Sequence, residues 1–149
     1  MIEKSDLYLK YWEEQRSSLQ HCEAQRSTLS NLVLILSGAG IAFASRGLDD
    51  KSSLVLTIGL FVLGAYGIAT TMKYYERYSR HAAQARVFAT LLADELQIPT
   101  HRDLLKEARK EHKEKWSRLN RVRLNLLWST LHAIVALTGV ALSVVILAR

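Results

Sequence analysis

The stretch that decides the fold is Leu124–Ala148, LNLLWSTLHAIVALTGVALSVVILA, in which no Asp, Glu, Lys or Arg occurs. A helix rises about 1.5 Å per residue and the hydrocarbon core of a bilayer is about 30 Å thick, so about 20 residues are needed to cross it. Two further stretches, 27–45 and 52–72, are equally free of these charges. The sequence therefore predicts an all-α, multi-pass membrane protein with three transmembrane helices, at 27–45, 52–72 and 124–148.

The charged residues are separated from the apolar ones in blocks. All 34 charged side chains of the 149-residue chain lie outside the three charge-free stretches. A soluble domain instead alternates apolar and charged residues along each element, so that one face meets the core and the other meets water. The competing interpretation is that the first run is a buried helix of a soluble bundle, since Ser27, Ser30 and Asn31 weaken its start.

The distribution of Lys and Arg predicts the orientation. The segment 73–123 holds thirteen of the 20 basic residues against seven acidic ones. The positive-inside rule places this segment and the N-terminal helix 1–26 in the cytoplasm, and the turn 46–51 and the C-terminus outside. The net charge of +6 is then a topological marker, with the lipid bilayer as the expected partner. Nucleic-acid binding is not expected, because no nucleic-acid motif accompanies the charge.

Aromatic and basic residues flank the predicted spans. Tyrosines follow the second span, a tryptophan lies just inside the third, and arginines precede the third. The predicted membrane-interface residues are Tyr74, Tyr75, Tyr78, Trp128, Arg118, Arg121 and Arg123. Tyr and Trp prefer the headgroup region, and basic residues there attract anionic lipids.

The segment 73–123 is predicted to form a long antiparallel helical hairpin. Its first arm contains neither Gly nor Pro and ends at Pro99, the only proline of the chain. Thr100 is the expected cap of the second arm, His101 to Arg123, with Asp103 near its positive end. The apolar stripes expected to pair are Tyr78, Ala82, Ala85, Leu92 and Leu96 on the first arm, and Leu105, Ala108, His112, Leu119 and Val122 on the second.

Residues 1–26 are predicted to form a third amphipathic helix. Tyr8, Trp12, Leu19 and Cys22 lie along one side of it. It either runs straight into the first span or lies on the membrane surface. The straight run is favoured, because no glycine or proline separates the two segments.

One face of the third span carries the strongest functional pattern. Small and polar residues recur on it at spacings of four and three, as Asn125, Ser129, His132, Ala136, Gly139 and Ser143. Lipid cannot satisfy Asn, Ser and His, so this face is expected to look inward. Two interpretations remain open: close helix packing, or the lining of a hydrated path through an oligomer. The second span repeats the pattern weakly, with Gly64, Gly67 and Thr71 on one side.

Features of enzymes and of metal sites are missing from the sequence. The five histidines are scattered, with no pair at ligand spacing on one helix, and the single Cys22 offers no thiolate cluster. We therefore expect neither an enzyme, nor a metal site, nor a cofactor.

The stretch Leu60 to Leu96 runs from a membrane helix through Tyr-Tyr-Glu-Arg-Tyr into an Ala-rich helix. With the preceding span and tight turn, over roughly Arg16 to Leu96, it resembles the SLATT-type small membrane proteins of bacterial conflict systems in topology and composition. The third span departs from the two-span layout of that family. The resemblance implies a bacterial inner-membrane protein that oligomerises and breaches the membrane when an associated sensor is triggered.

The preferred functional interpretation is a homo-oligomeric pore or membrane disruptor acting in defence and gated through its cytoplasmic helices. The alternative is a non-conducting structural or regulatory membrane scaffold whose cytoplasmic hairpin binds a soluble protein. A basic lipid-binding membrane remodeller is the third interpretation.

Overall fold

The computed structural model describes residues 3–46, 51–117 and 119–148, without the side chain of Asn120. Its α-helices in chain order are α1 (Lys4–Arg46), α2 (Ser53–Glu95), α3 (His101–Leu104), α4 (Lys106–Lys115) and α5 (Leu124–Ala148). A single 3-10 turn, Leu119–Arg121, precedes α5. The described residues contain no strand, so the predicted all-α class is confirmed.

Three of these helices, α1, α2 and α5, are long and apolar enough to cross a membrane. This agrees with the three predicted spans. The third predicted span coincides with α5, and the second lies at the start of α2. Of the predicted external turn 46–51, residues 47–50 lie outside the described residues, and Lys51 and Ser52 form a turn that leads into α2.

Helix α1 is unbroken over 43 residues, so the amphipathic N-terminal helix runs straight into the first span, as favoured. One face of α1 is packed along its length. The least exposed residues on this face are Tyr8, Trp12, Gln15, Leu19, Cys22, Arg26, Ser30, Val33, Ser37, Gly40 and Ala44.

Helix α2 is packed along a stripe whose members alternate between spacings of four and three. They are Ser53, Thr57, Leu60, Gly64, Gly67, Thr71, Tyr74, Tyr78, His81, Ala85, Phe88 and Leu92. A mean period of about 3.5 residues is the repeat of helices that pack side by side in a left-handed supercoil. The same alternation marks the packed face of α5, so both long helices are built for extended helix–helix contact.

The described chain divides into two units. Residues within Met1–Glu23 and Tyr75–Arg123 form the first, called the head unit. Residues within Ala24–Tyr74 and Leu124–Arg149 form the second, called the span unit. Helices α1 and α2 each contribute one part to either unit.

The span unit has polar groups inside and large apolar side chains outside. Its most buried residues include Ser30, Thr57 and His132, each at most 1% exposed, whereas Ile35 and Leu137 are 68% and 67% exposed. Water would favour the opposite arrangement, but a lipid environment accepts exposed Ile and Leu and rejects exposed hydroxyls. The burial pattern therefore supports a membrane protein independently of helix length.

The first arm of the predicted hairpin ends a few residues earlier than predicted. Helix α2 stops at Glu95, and Gln97 adopts a left-handed backbone with φ 53°. Leu96, predicted to belong to the apolar stripe, is instead 50% exposed, because the helix that would orient it has ended. Thr100 caps α3 as predicted, since its side chain accepts a hydrogen bond from the Asp103 N–H at 3.3 Å.

The predicted second arm is wrong. Instead of one helix from His101 to Arg123, the structure has two shorter helices. The first, α3, ends before Leu105, and the second, α4, ends at Lys115. Every described side chain of this segment is exposed, including the stripe expected to be buried, Leu105, Ala108, His112, Leu119 and Val122. A helix without a packed face depends on intrinsic propensity alone, which rarely sustains a long helix in water.

Candidate functional site

The polar face predicted on α5 lies on the least exposed side of that helix. His132, Ala136 and Gly139 are buried, and Asn125, Ser129 and Ser143 are half-buried. Gly64, Gly67 and Thr71 are all buried on α2. The structure thus brings the two predicted sets of residues into the interior of the same span unit.

Glycines allow the backbones of α2 and α5 to approach each other closely. A Cβ placed on Gly64 would lie 2.7 Å from the His132 carbonyl oxygen and closer still to the Ala136 nitrogen. A Cβ on Gly139 would lie 2.6 Å from both the Phe61 nitrogen and the Thr57 carbonyl oxygen. Real side chains do not fit at these distances, so the two glycines are required for this helix contact.

His132 lies at the centre of this packing. Its ring covers Gly67, where an added Cβ would lie 2.5 Å from Nδ1. Its Nε2 shares a hydrogen bond with Ser30 Oγ of α1, at 3.1 Å. Its Nδ1 is buried and has no hydrogen-bond partner within the described part of the chain. The imidazole of α5 therefore contacts both α1 and α2, through one hydrogen bond and one ring contact respectively.

A second polar link joins α5 to α2. Ser143 Oγ donates to Thr57 Oγ1 at 2.7 Å and also lies 2.9 Å from the carbonyl oxygen of Gly139. Thr57 Oγ1 in turn donates to the carbonyl oxygen of Leu54 at 3.0 Å. These bonds satisfy hydroxyl groups that lipid would leave unpaired. Within one chain, the polar face of α5 is thus used for helix packing.

Polar groups also gather at the start of α5. The Arg26 guanidinium lies 5.8 Å from the centroid of the Trp128 ring, a cation–π distance. Arg26 Nε, Trp128 Nε1 and Asn125 Oδ1 are buried and have no hydrogen-bond partner among the residues that the structure describes. Arg26 was not among the residues predicted from the sequence, although its position as the last charge before the first predicted span was a usable signal.

The other predicted interface residues are spread over both units. Tyr74 is half-buried in the span unit, whereas Tyr75 is 38% exposed in the head unit. Arg121 and Arg123 are exposed, and Arg118 lies outside the described residues. Tyr78 is half-buried and lines a groove of the head unit.

In the head unit, α1 and α2 pack against each other. The rings of Tyr11 and Phe88 are 5.2 Å apart between centroids, and His81 Nδ1 lies 2.7 Å from Gln15 Oε1. The first arm of the predicted hairpin therefore has the N-terminal part of α1 as a packing partner. This pairing was not predicted from the sequence, because the segments on both sides of the first arm offer comparable apolar stripes.

Beside this pair runs a groove of about 770 Å³. Its lining comes from α1, from α2 and from the segment that carries α3 and the start of α4. Alanines and larger apolar residues form most of it, and its basic side chains are those of Arg16, Arg86, Arg109 and His101. Among the described residues, no Asp or Glu contributes to it. Arg16 is held at 5.7 Å from the Trp12 ring centroid.

Among the described residues, no three His, Cys, Asp or Glu side chains lie close enough to hold a metal ion. Cys22 is a free, buried thiol in the packed stripe of α1. Comparison with protein-family models, with curated proteins and with solved structures finds no match to the chain.

Proposed function

We propose that the protein is a non-conducting membrane scaffold that holds a helical head in the cytoplasm and presents it to a soluble protein. The observation that carries this proposal is the use of the α5 polar face inside one chain. His132 and Ser143 form hydrogen bonds with residues of α1 and α2 respectively, and Gly139 contacts the α2 backbone. A face filled by neighbouring helices of its own chain is not available to line a water path between subunits.

The scaffold is proposed to reside in the bacterial inner membrane as a homo-oligomer. The excess of basic residues in 73–123 supports a cytoplasmic head and an external C-terminus. The head also exposes large apolar side chains, including Leu104 at 66% and Leu119 at 64%. Exposed apolar residues in such number support contact with other protein surfaces.

A pore gated through the head, acting in defence, is the second candidate. It is favoured by the polar groups inside the span unit, where Ser30, Thr57, Thr71 and His132 are at most 2% exposed. Separation of the three helices would turn these groups into the lining of a hydrated path. The scaffold is preferred, because opening would first break the two hydrogen bonds and the glycine contacts.

Ion release from liposomes separates the two candidates. The purified full chain is reconstituted into vesicles loaded with a potassium-sensitive dye. The scaffold predicts release no faster than from protein-free vesicles, both for the wild type and for His132→Leu combined with Ser129→Ala. If the wild type releases potassium and the double variant changes the rate of this release, the result would refute the scaffold proposal in favour of the pore.

Photo-crosslinking in living cells tests the partner. A photoreactive amino acid is placed at Val87, Ala89 or Leu119 of the head and, as a control, at Phe43, which is 64% exposed on the span unit. The scaffold predicts a discrete adduct with a second protein, identified by mass spectrometry, from at least one head position and none from Phe43. Adducts limited to the chain itself at all three head positions would refute it.

A further inference from the structure

The groove of the head unit has a shape and a charge that specify an occupant. On α1 it extends from Leu9 to Leu19, and on α2 from Tyr78 to Ala93. At about 1.5 Å per residue these stretches are about 15 and 22 Å long, or three to four helical turns. The groove is therefore elongated along two helices, which fits a rod-shaped ligand.

The groove walls are apolar and partly open to solvent. Leu9, Ile98 and Leu104 line it and are 41%, 53% and 66% exposed. Ala85 and Ala89 lie along its α2 side, where short side chains leave room for a neighbouring helix to approach. An amphipathic helix covers such a surface with apolar residues spaced three and four apart.

The charged side chains that line the groove are all positive. Arg16, Arg86 and Arg109 come from α1, α2 and α4 respectively, and no carboxylate of a described residue accompanies them in the lining. Arg16 is oriented by its contact with the Trp12 ring. Guanidinium groups on three sides of an apolar groove complement an occupant that carries carboxylates beside its apolar stripe.

We propose that this groove binds an acidic amphipathic helix of a soluble protein, with its apolar stripe on the groove walls and its carboxylates toward Arg16, Arg86 and Arg109. This inference rests on the proposed scaffold function and names the chemistry of the partner. Helix α4 is a poor match for this occupant, since KEARKEHKEK has five basic Lys and Arg residues and three acidic ones. The N-terminal part of α1 already forms a wall of the groove. The proposed occupant is therefore a helix of a different protein.

The test uses the full chain in nanodiscs of zwitterionic lipid. The probe is a fluorescent peptide of about 15 residues, about 22 Å long as a helix, with Leu at spacings of three and four and Glu elsewhere. The matched control peptide has Lys in place of every Glu. Anisotropy is measured against empty nanodiscs. We expect the acidic peptide to bind at least about tenfold more tightly than the basic one, and less tightly as salt rises.

Charge reversal locates the binding. Arg86→Glu with Arg109→Glu is expected to weaken acidic-peptide binding by about tenfold or more and to strengthen basic-peptide binding. Arg80→Glu is the matched control, because Arg80 is exposed on α2 outside the groove and should leave both affinities unchanged. Ala89→Phe, which fills the groove, should abolish binding of the acidic peptide. Circular dichroism verifies that each variant retains the helix content of the wild type.

Equal binding of the two peptides to the wild type, or equal binding of the acidic peptide to wild type and double variant, would overturn the inference. Arginine-dependent binding of a fluorescent fatty acid, with no binding of either peptide, would assign the groove to lipid instead. Crosslinks from Val87 or Leu119 without any from Ala89 would refute the groove as the docking site while leaving the scaffold intact.

Discussion

His132, Gly64 and Ser30 show how single residues hold the span unit together. The imidazole shares a hydrogen bond with Ser30 and covers Gly67, while Gly64 lies against the backbone at His132 and Ala136. In lipid, apolar side chains gain little by leaving their surroundings, so close packing and interhelical hydrogen bonds supply the association energy. Substitutions at these positions should therefore have larger effects than substitutions of the same kind on exposed faces.

Gly64→Ala is predicted to destabilise the span unit by about 1–3 kcal/mol, because the new Cβ would overlap backbone atoms of α5 that cannot move independently. Gly38→Ala is the matched control, since a Cβ there has nothing within 4 Å; it should be neutral or slightly stabilising through helix propensity. Unfolding in mixed micelles measures both. Equal shifts for the two variants would contradict the close contact between α2 and α5.

Ser30→Ala is predicted to destabilise the span unit by about 0.5–1.5 kcal/mol, because it removes the hydrogen-bond partner of His132 Nε2 in the interior of that unit. Ser45→Ala is the control, since the Ser45 hydroxyl is exposed and donates a hydrogen bond to the carbonyl oxygen of Ala42 in its own helix. A double-mutant cycle with His132→Ala should give a coupling of about 0.5–1.5 kcal/mol between Ser30 and His132. Additive effects would show that the two side chains do not interact.

At the scale of helices, the packed stripes separate the stable elements from the weak one. Helix α2 alternates spacings of four and three from Ser53 to Leu92, and α5 does the same. Helix α4 has no buried residue at all. Packing of an amphipathic face supplies most helical stability in proteins, so α4 is expected to open far more easily than the part of α2 in the head unit.

Limited trypsin digestion should therefore cut first within α4, after Lys106, Arg109, Lys110, Lys113 or Lys115, and later after Arg80 and Arg86 of α2. Each of these sites lies in a helix of the head unit, so the order reports local opening of the helix. Mass spectrometry of early fragments gives the order of cleavage. Early cleavage at Arg86 would show that the α1–α2 pair is not the stable part of the head.

At the scale of the whole molecule, the arrangement of charge predicts the topology. If all three candidate spans cross the membrane, the basic segment between the second and third predicts that the ends of the chain lie on opposite sides. A reporter that is active only in the cytoplasm should give signal when fused at the N-terminus and none when fused after Arg149. An enzyme active only outside should show the reverse pattern. Cytoplasmic signal from the C-terminal fusion would contradict three crossings.

The periodicity of the sequence was sufficient for local features. The helical repeat places His132, Gly139 and Ser143 on one face, the charge-free stretches predict the three candidate spans, and the residues around Thr100 predict its cap, because each of these depends on neighbours along the same segment. Periodicity failed at residues 101–123, where a narrow apolar stripe suggested a packed helix and the structure leaves every described side chain exposed. A stripe reports which face prefers burial, but not whether a partner is present to bury it.

By itself, the sequence determined the number of candidate spans, the helical class and the polar face of α5, since composition and the helical repeat act along each segment alone. Only the tertiary structure decided that this face meets Gly64, Gly67 and Ser30 of the same chain. It also decided that, in the head unit, α2 packs against the N-terminal part of α1 and borders a groove whose charged side chains are all arginines. Such choices depend on shape complementarity between segments far apart in the chain, and hydropathy does not distinguish one apolar stripe from another as the partner.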